Sequence, residues 1–250
     1  MKTFFIGHGS PENAVRDNAY TRYLNKLGKS IDAPRCIIVF SAHWLTGGSF
    51  ITAGEKPEQI YDFYGFPDEL YRIRYQPDGL PSIAEEISAK IPSITTDYER
   101  GIDHAAWAVV KHMYPEQNIP VLEMSLNTGA TEQEHYELGQ KIAELALDDV
   151  LFIGSGNLVH NLYEIDFDEH AKTFPWAGEA NEWLLKRIED NSTDELINAQ
   201  DRMPLYRKAV PTKDHYLPLM YVLGFRKNKT VIEFNDIQNG SISMLSFSVE

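Results

Sequence analysis

The sequence predicts an α/β fold. It reads as a single three-layer domain with a mostly parallel central sheet, helices on both faces and an antiparallel C-terminal hairpin. Three observations carry this. Short apolar runs, Phe4-Phe5-Ile6, Cys36-Ile37-Ile38-Val39-Phe40 and Val150-Leu151-Phe152-Ile153, stop abruptly at glycine or small polar residues, as strands buried on both faces do. Stretches with apolar residues at helical spacing lie between them, and alternating strands and helices favour a parallel sheet. The last stretch, 230 to 249, alternates in polarity around Asn239-Gly240, a dipeptide suited to a tight hairpin turn.

The elements follow in order. The first strand hands over to Gly7-His8-Gly9-Ser10-Pro11. Residues 13 to 29 have helical spacing, with Tyr20, Tyr23, Leu24 and Leu27 as the buried stripe. Ala33-Pro34-Arg35 leads into the second strand, 36 to 40, which runs into Ser41-Ala42-His43-Trp44. Phe50-Ile51-Thr52-Ala53 is a further short strand. Residues 57 to 81 are dense in aromatics through Tyr61-Asp62-Phe63-Tyr64-Gly65-Phe66-Pro67 but are broken by glycine and proline. They read as an ordered loop of the kind that covers a binding site. Residues 82 to 90 are helical and end at Ile91-Pro92. Arg100-Gly101-Ile102-Asp103-His104 is a loop that opens a helix through Trp107 to Met113. Residues 120 to 126 form a strand ending at Asn127. In the helix at 131 to 147, Thr131 and Glu134 fit a capping box. The strand at 150 to 153 turns at Gly154-Ser155-Gly156-Asn157. Residues 175 to 190 and 192 to 199 read as helices, and Asp214-His215-Tyr216-Leu217-Pro218-Leu219 opens another. No internal repeat or linker divides the sequence, so 1 to 250 is read as one domain.

Composition narrows the function classes. The chain has 250 residues, 43% of them hydrophobic, enough for one sizeable core. Its formal net charge is −14, from 37 acidic and 23 basic residues, with no lysine or arginine cluster. Nucleic-acid binding needs a basic face and is not expected. The single cysteine, Cys36, lies in a strand run; it reads as a buried small hydrophobe and excludes an intramolecular disulfide or a cysteine-rich zinc module. No apolar run approaches the ~18 residues of a membrane span, and the first strand begins too early for a signal peptide. The expectation is a soluble, cytoplasmic protein, a monomer or small homo-oligomer, with no nucleic-acid or membrane partner.

In open α/β sheets, ligands bind beyond the carboxyl ends of the strands. His8, His43 and His160 each follow a strand run, so they should gather along one sheet edge. Imidazole is the commonest protein ligand for transition metals, and the central hypothesis is a histidine-built metal centre. Of the eight histidines, His104 and His215 share the same setting, in loops or at element ends beside Gly, Ser, Asp or Asn. His112, His135 and His170 read as surface or satisfied core residues. Spacing alone does not choose the ligand set. Gly154-Ser155-Gly156-Asn157-Leu158-Val159 misses the dinucleotide fingerprint at Val159. There is neither a Gly-x-Ser-x-Gly elbow nor a His-Glu-x-x-His pair. Ser10 and Ser155 read as turn or capping residues more readily than as nucleophiles. The aromatic stretch either covers the sheet edge or, with Trp44 and Trp107 nearby, forms a wall for a flat ring.

Taken together, His8-Gly9-Ser10-Pro11, Ser41-Ala42-His43-Trp44, the stretch from Tyr61 to Pro67, Asp103-His104-x-x-Trp107, Gly154-Ser155-Gly156-Asn157 with His160, and Asp214-His215-Tyr216 through Gly224 resemble the class III extradiol ring-cleavage dioxygenases. The nearest branch is the 4,5-DOPA dioxygenase extradiol group. The resemblance covers nearly the whole chain in order. It implies a single α/β domain with a non-haem metal, held by His8, His43 and His215. It makes His160 the acid/base and places His104 in the substrate pocket, where Trp44, Trp107 and Tyr216 would also touch substrate. Larger class III enzymes have a glutamate as third ligand, where this chain has His215. Three neutral imidazoles leave the ion's charge uncompensated by ligands, and tris-histidine sites also suit zinc. The resemblance implies Fe(II) for activity, and Zn(II) can occupy the same site. The implied reaction opens a small aromatic diol with O₂ to a semialdehyde acid. Two rival readings are a zinc hydrolase using the same histidines, which needs no O₂, and a non-catalytic binding relative.

Overall fold

Side-chain alternation along the inner strands sets the layers. Phe4 and Ile6 enter one apolar cluster while Phe5 enters another, and Ile37 and Val39 part from Ile38 and Phe40 in the same way. Successive strand residues point to opposite faces, so uninterrupted apolar runs demand cover on both.

The structure, a computed structural model, describes residues 2–250. Its elements, in chain order, begin with β1 (Thr3–Gly7), α1 (Ala19–Ser30), β2 (Cys36–Thr46), β3 (Ser49–Thr52), α2 (Pro81–Lys90), β4 (Ile94–Asp97) and α3 (His104–Met113). They continue with β5 (Val121–Asn127), α4 (Glu132–Glu144), β6 (Val150–Gly156), α5 (Pro175–Glu189), α6 (Thr193–Ile197), α7 (Ala199–Arg202), α8 (Tyr206–Ala209) and α9 (Pro218–Gly224). The chain closes with β7 (Thr230–Phe234), β8 (Ile237–Gln238), β9 (Ile242–Ser243) and β10 (Ser246–Val249). Eight strands form one sheet in the order β4-β3-β5-β2-β6-β1-β10-β7. The central four, β5, β2, β6 and β1, are parallel. β3 runs antiparallel to β5, and β10 runs antiparallel to both β1 and β7. Helices α1 and α3 cover one face through Tyr20, Leu24, Trp107 and Val110. Helices α2, α4, α5 and α9 cover the other through Ile87, Ile142, Leu184 and Met220. No helix among the described residues is long and apolar enough to cross a membrane.

The C-terminal hairpin forms as expected. β8 pairs with β9 around Asn239-Gly240, whose φ values of 53° and 71° are those a type I′ turn requires. The capping box of α4 is also present.

Three boundaries differ from the sequence reading, and one strand was not expected. The helix expected from residue 13 starts at Ala19, because Pro11–Ala14 makes a separate 3₁₀ turn and Asn18 forms a capping box with Thr21. β2 runs on through Thr46 with a register shift between Phe40 and Leu45, so His43 lies inside the strand and not beyond it. β6 likewise continues through Gly156. β4, which pairs with β3 in parallel, was not expected: four residues give too short a pattern to stand out from a loop.

Gly156 is where β6 meets the segment leading into α9. A Cβ there would lie 2.2 Å from the carbonyl oxygen of His215, and this close approach lets the Asn157 N–H donate to that oxygen at 3.0 Å. Gly156→Ala should push the two segments apart and cost about 1–3 kcal/mol, the usual cost of overpacking. Urea unfolding of the two proteins measures this, and an unchanged midpoint would show that the segments can separate freely.

Candidate metal centre

Five elements deliver five histidines to the carboxyl edge of the parallel strands. His8 leaves β1, with its N–H bonded to the Gly156 carbonyl at 3.1 Å. His43 lies in β2 within the register shift between Phe40 and Leu45. His104 is the first residue of α3, whose N-cap Asp103 accepts from the Ala105 N–H. His160 follows β6 and its N–H donates to the Ala209 carbonyl at 2.8 Å. His215 precedes α9.

The rings converge. The His8 centroid is 5.2 Å from His43, 5.4 Å from His104 and 5.1 Å from His215. His43 lies 4.2 Å from His104 and 4.8 Å from His215. The tight nitrogen group is His8, His43 and His104, one nitrogen of each lying within 4.8 Å of the others. The Nε2 atoms of His8 and His43 are 3.3 Å apart, close to the ~3.4 Å separating two nitrogens bound at ~2.1 Å and a tetrahedral angle to one ion. His112 and His135 stand apart, bonded to the backbone carbonyls of Asn13 and Thr131.

The hydrogen bonds settle which nitrogen faces inward. Ser155 donates its hydroxyl proton to the Ala105 carbonyl at 2.7 Å, so at 3.0 Å it accepts from His8 Nδ1–H. Asp214 Oδ2 accepts from His215 Nδ1–H at 2.5 Å. Asp62 Oδ2 accepts from His104 Nδ1–H at 2.8 Å and lies 3.1 Å from His43 Nδ1. In each neutral ring the proton is thus on Nδ1, and Nε2 carries a bare lone pair. Nitrogens tied off in this way, by carboxylates above all, are what metal-binding histidines require. The donor set fits a divalent transition metal.

Electrostatics points the same way. Burial, with help from neighbouring imidazoles, holds His8 and His215 well below the ordinary imidazole range. Burial lowers His104 too, against the pull of Asp62. Burial also opposes a charge on His43, but Asp62, Asp103 and Asp214 outweigh it and raise its pKa. Burial pushes His160 down to about 4, against the opposing charge of Asp214. His160 stacks on His215 at 3.5 Å with 9° between the planes. Lone pairs lie in the ring plane, so two stacked rings cannot aim at one ion. His160, Asp214 and His215 also lie close together, but the stacking and the shared proton between Asp214 and His215 make that cluster a poor ligand set. The open side lies at His43, Asp62 and Asp214, whose side chains are 22%, 17% and 21% exposed.

The aromatic residues expected to touch substrate lie deeper than that side. Trp107 is fully buried, and its Nε1–H donates to the Ile60 carbonyl at 2.9 Å. Tyr216 is buried, with its hydroxyl donating to Leu196. Trp44 is buried under the Arg100 guanidinium, 5.3 Å from its ring centre. Their contacts hold the elements that carry the histidines. Phe63 is the aromatic residue that reaches the cluster, 5.5 Å from His104 and edge-on. The sequence reading gave no role to Asp62 or Asp214 and took Ser155 as a turn or capping residue. An acid beside His215 and one inside an aromatic stretch were the visible signals.

Comparison with known proteins gives the same direction. Residues 5–241 match the family described as the catalytic LigB subunit of aromatic ring-opening dioxygenase. A 4,5-DOPA dioxygenase extradiol of Escherichia coli K12 is 39% identical, over 100% of this chain and 94% of its own length. One from Beta vulgaris is 33% identical, over 98% and 95%. The crystal structure of an uncharacterized Escherichia coli K12 protein superposes with a TM-score of 0.86 at 34% identity, covering 100% of both chains. A match that runs from β1 through β8 and takes in all five converging histidines leaves one conclusion: this chain belongs to the LigB family of aromatic ring-opening dioxygenases.

Proposed function

We propose that the chain is a metal-dependent extradiol dioxygenase that opens the ring of a DOPA-like catechol with O₂ to a semialdehyde acid. The observation that carries this reading is the set of imidazoles with Nδ1 tied off and Nε2 bare around one point, in a chain of this family. Relatives named 4,5-DOPA dioxygenase extradiol support the substrate class. The reaction balances without a further oxidant, since both atoms of O₂ enter the product.

His8, His43 and His215 are the proposed ligands of Fe(II). When bound, such an ion lowers the pKa of a chelated hydroxyl and provides the one-electron route between diol and O₂. The carboxylates of Asp62 and Asp214, behind His43 and His215, offset the charge that neutral imidazoles leave. Phe63 packs against His104, which puts His104 on the aromatic-loop side, where a flat ring would lie. His160, kept neutral by its burial, accepts a diol proton and returns it to the ring-opened product. An imidazole suits both steps because its neutral form can take the proton and its protonated form can give it back.

The chain loaded anaerobically with Fe(II) should, on admission of air, consume O₂ and turn catechols into a coloured semialdehyde. Equal turnover under argon, or with Zn(II) alone, would instead point to hydrolysis. Metal analysis separates the ligand sets: His43→Ala and His215→Ala should lose most of the ion while His104→Ala keeps it. Loss in His104→Ala with retention in His215→Ala would replace the proposed set by His8, His43 and His104. For the proton-transfer role, His160→Ala should retain its iron and bind catechol, with kcat lower by roughly 10²–10⁴-fold. His104→Ala should chiefly raise KM. A near-normal kcat in His160→Ala would remove it from the chemistry.

A further inference from the structure

We propose that Asp62 is the positioning residue of this centre: one carboxylate oxygen fixes the tautomers of His43 and His104 together and joins the aromatic loop to both rings. The proposal rests on the metal-centre reading above and adds to it a residue outside the ligand set.

All the acceptor capacity that Asp62 turns toward the site is in use. Oδ2 lies 2.8 Å from His104 Nδ1 and 3.1 Å from His43 Nδ1, while Oδ1 accepts the backbone N–H of His104 at 2.9 Å. An ionised carboxylate only accepts. Both Nδ1 atoms must therefore be donors, and both Nε2 atoms are bare and directed to the centre, one toward the ion and the other toward the substrate side. The two rings are close neighbours, 4.2 Å apart, so one oxygen can serve both.

The place of Asp62 does not depend on the histidines. Gln59 bridges to Ile102, the Ile60 N–H donates to the Ile102 carbonyl at 2.8 Å, and Trp107 holds the Ile60 carbonyl from below. On the other side, the Tyr61 hydroxyl bonds to the Ile73 carbonyl. The main chain thus presents the carboxylate before any ion arrives, and the rings turn to meet it. Preorganisation of this kind is what partners behind metal-bound histidines supply.

Asparagine has the same shape but the wrong pattern of donors. If its oxygen accepts the His104 N–H, its NH₂ faces both Nδ1 atoms, which must then become acceptors and carry their protons on Nε2. If the amide is reversed, its NH₂ opposes the His104 N–H. In either arrangement the centre loses bare lone pairs or a main-chain hydrogen bond.

Nitrogen-15 NMR of the metal-free chain at pH 8 reads the ring tautomers directly. The wild type should show Nδ1–H on His43 and His104, and Asp62→Asn should show Nε2–H on at least one of them. In competition with a chelator, Asp62→Asn should bind Zn(II) about 10- to 100-fold more weakly, the usual effect of losing such a partner. Its thermal midpoint without metal should stay near that of the wild type. Tyr64→Ala, at a loop neighbour that is 92% exposed, should bind Zn(II) normally. Nε2–H on both rings of the wild type, or equal Zn(II) affinity in Asp62→Asn, would overturn the proposal. The wild-type tautomers decide it even if the variant does not fold. A wild type that shows both Nδ1–H tautomers yet takes up no Zn(II) would remove the metal reading and leave the hold of Asp62 on the two rings in place.

Discussion

The histidines at this sheet edge are held by the ring nitrogen that faces away from the cluster. Ser155 holds His8, Asp214 holds His215, and Asp62 holds His104 with His43 beside it. Four imidazoles packed within about a ring's width of one another could not all be protonated, and each lowers its neighbours' affinity for a proton. Neutral rings with fixed tautomers avoid that repulsion and present lone pairs in its place. The arrangement suits cation binding because its charge balance is left incomplete. The carboxylates stand one bond further out, where they orient the rings without occupying the centre.

Beneath this layer a second set of polar contacts ties the strands to the helix that bears His104. Asp103, fully buried, accepts from the Ser41 hydroxyl at 2.9 Å, from Arg100 at 2.9 Å and from the Ala105 N–H. Its own N–H donates to Glu123 of β5 at 2.7 Å, and Ser41 accepts the N–H of His43. His43 and His104 are thereby referenced to one carboxylate. A buried charge is tolerated only when paired and hydrogen-bonded, and Asp103 meets both conditions. Burial and the charge of Asp103 push the Glu123 carboxyl well above its usual range, so a second negative charge does not form beside the first.

The aromatic loop completes the arrangement by packing. Tyr61 and Phe63 lean on Trp107 at 5.9 Å and 6.2 Å, and Trp107 belongs to the core under β1 and β2. The loop is therefore an extension of the core that ends in Asp62 and Phe63, the two residues that reach the histidines. Its exposed tip at Tyr64 follows directly.

The sequence by itself determined the features that local chemistry dictates. Apolar runs specify strands buried on both faces, Thr131 with Glu134 specifies the start of α4, and Asn239-Gly240 specifies the hairpin turn. Apolar strand runs that lead on to histidines put His8, His43 and His160 at one edge, because the carboxyl-terminal parts of parallel strands share an edge. Tertiary structure decided what depends on partners distant in the chain. Asp62 and His104 are 42 residues apart and Ser155 and His8 are 147 apart; no local period relates them. Whether Trp107, Tyr216 and Trp44 stand exposed in a loop or packed inside was likewise open until the fold buried them. An aromatic side chain near a loop satisfies the same pattern in either case, and only the neighbours that close over it make the difference.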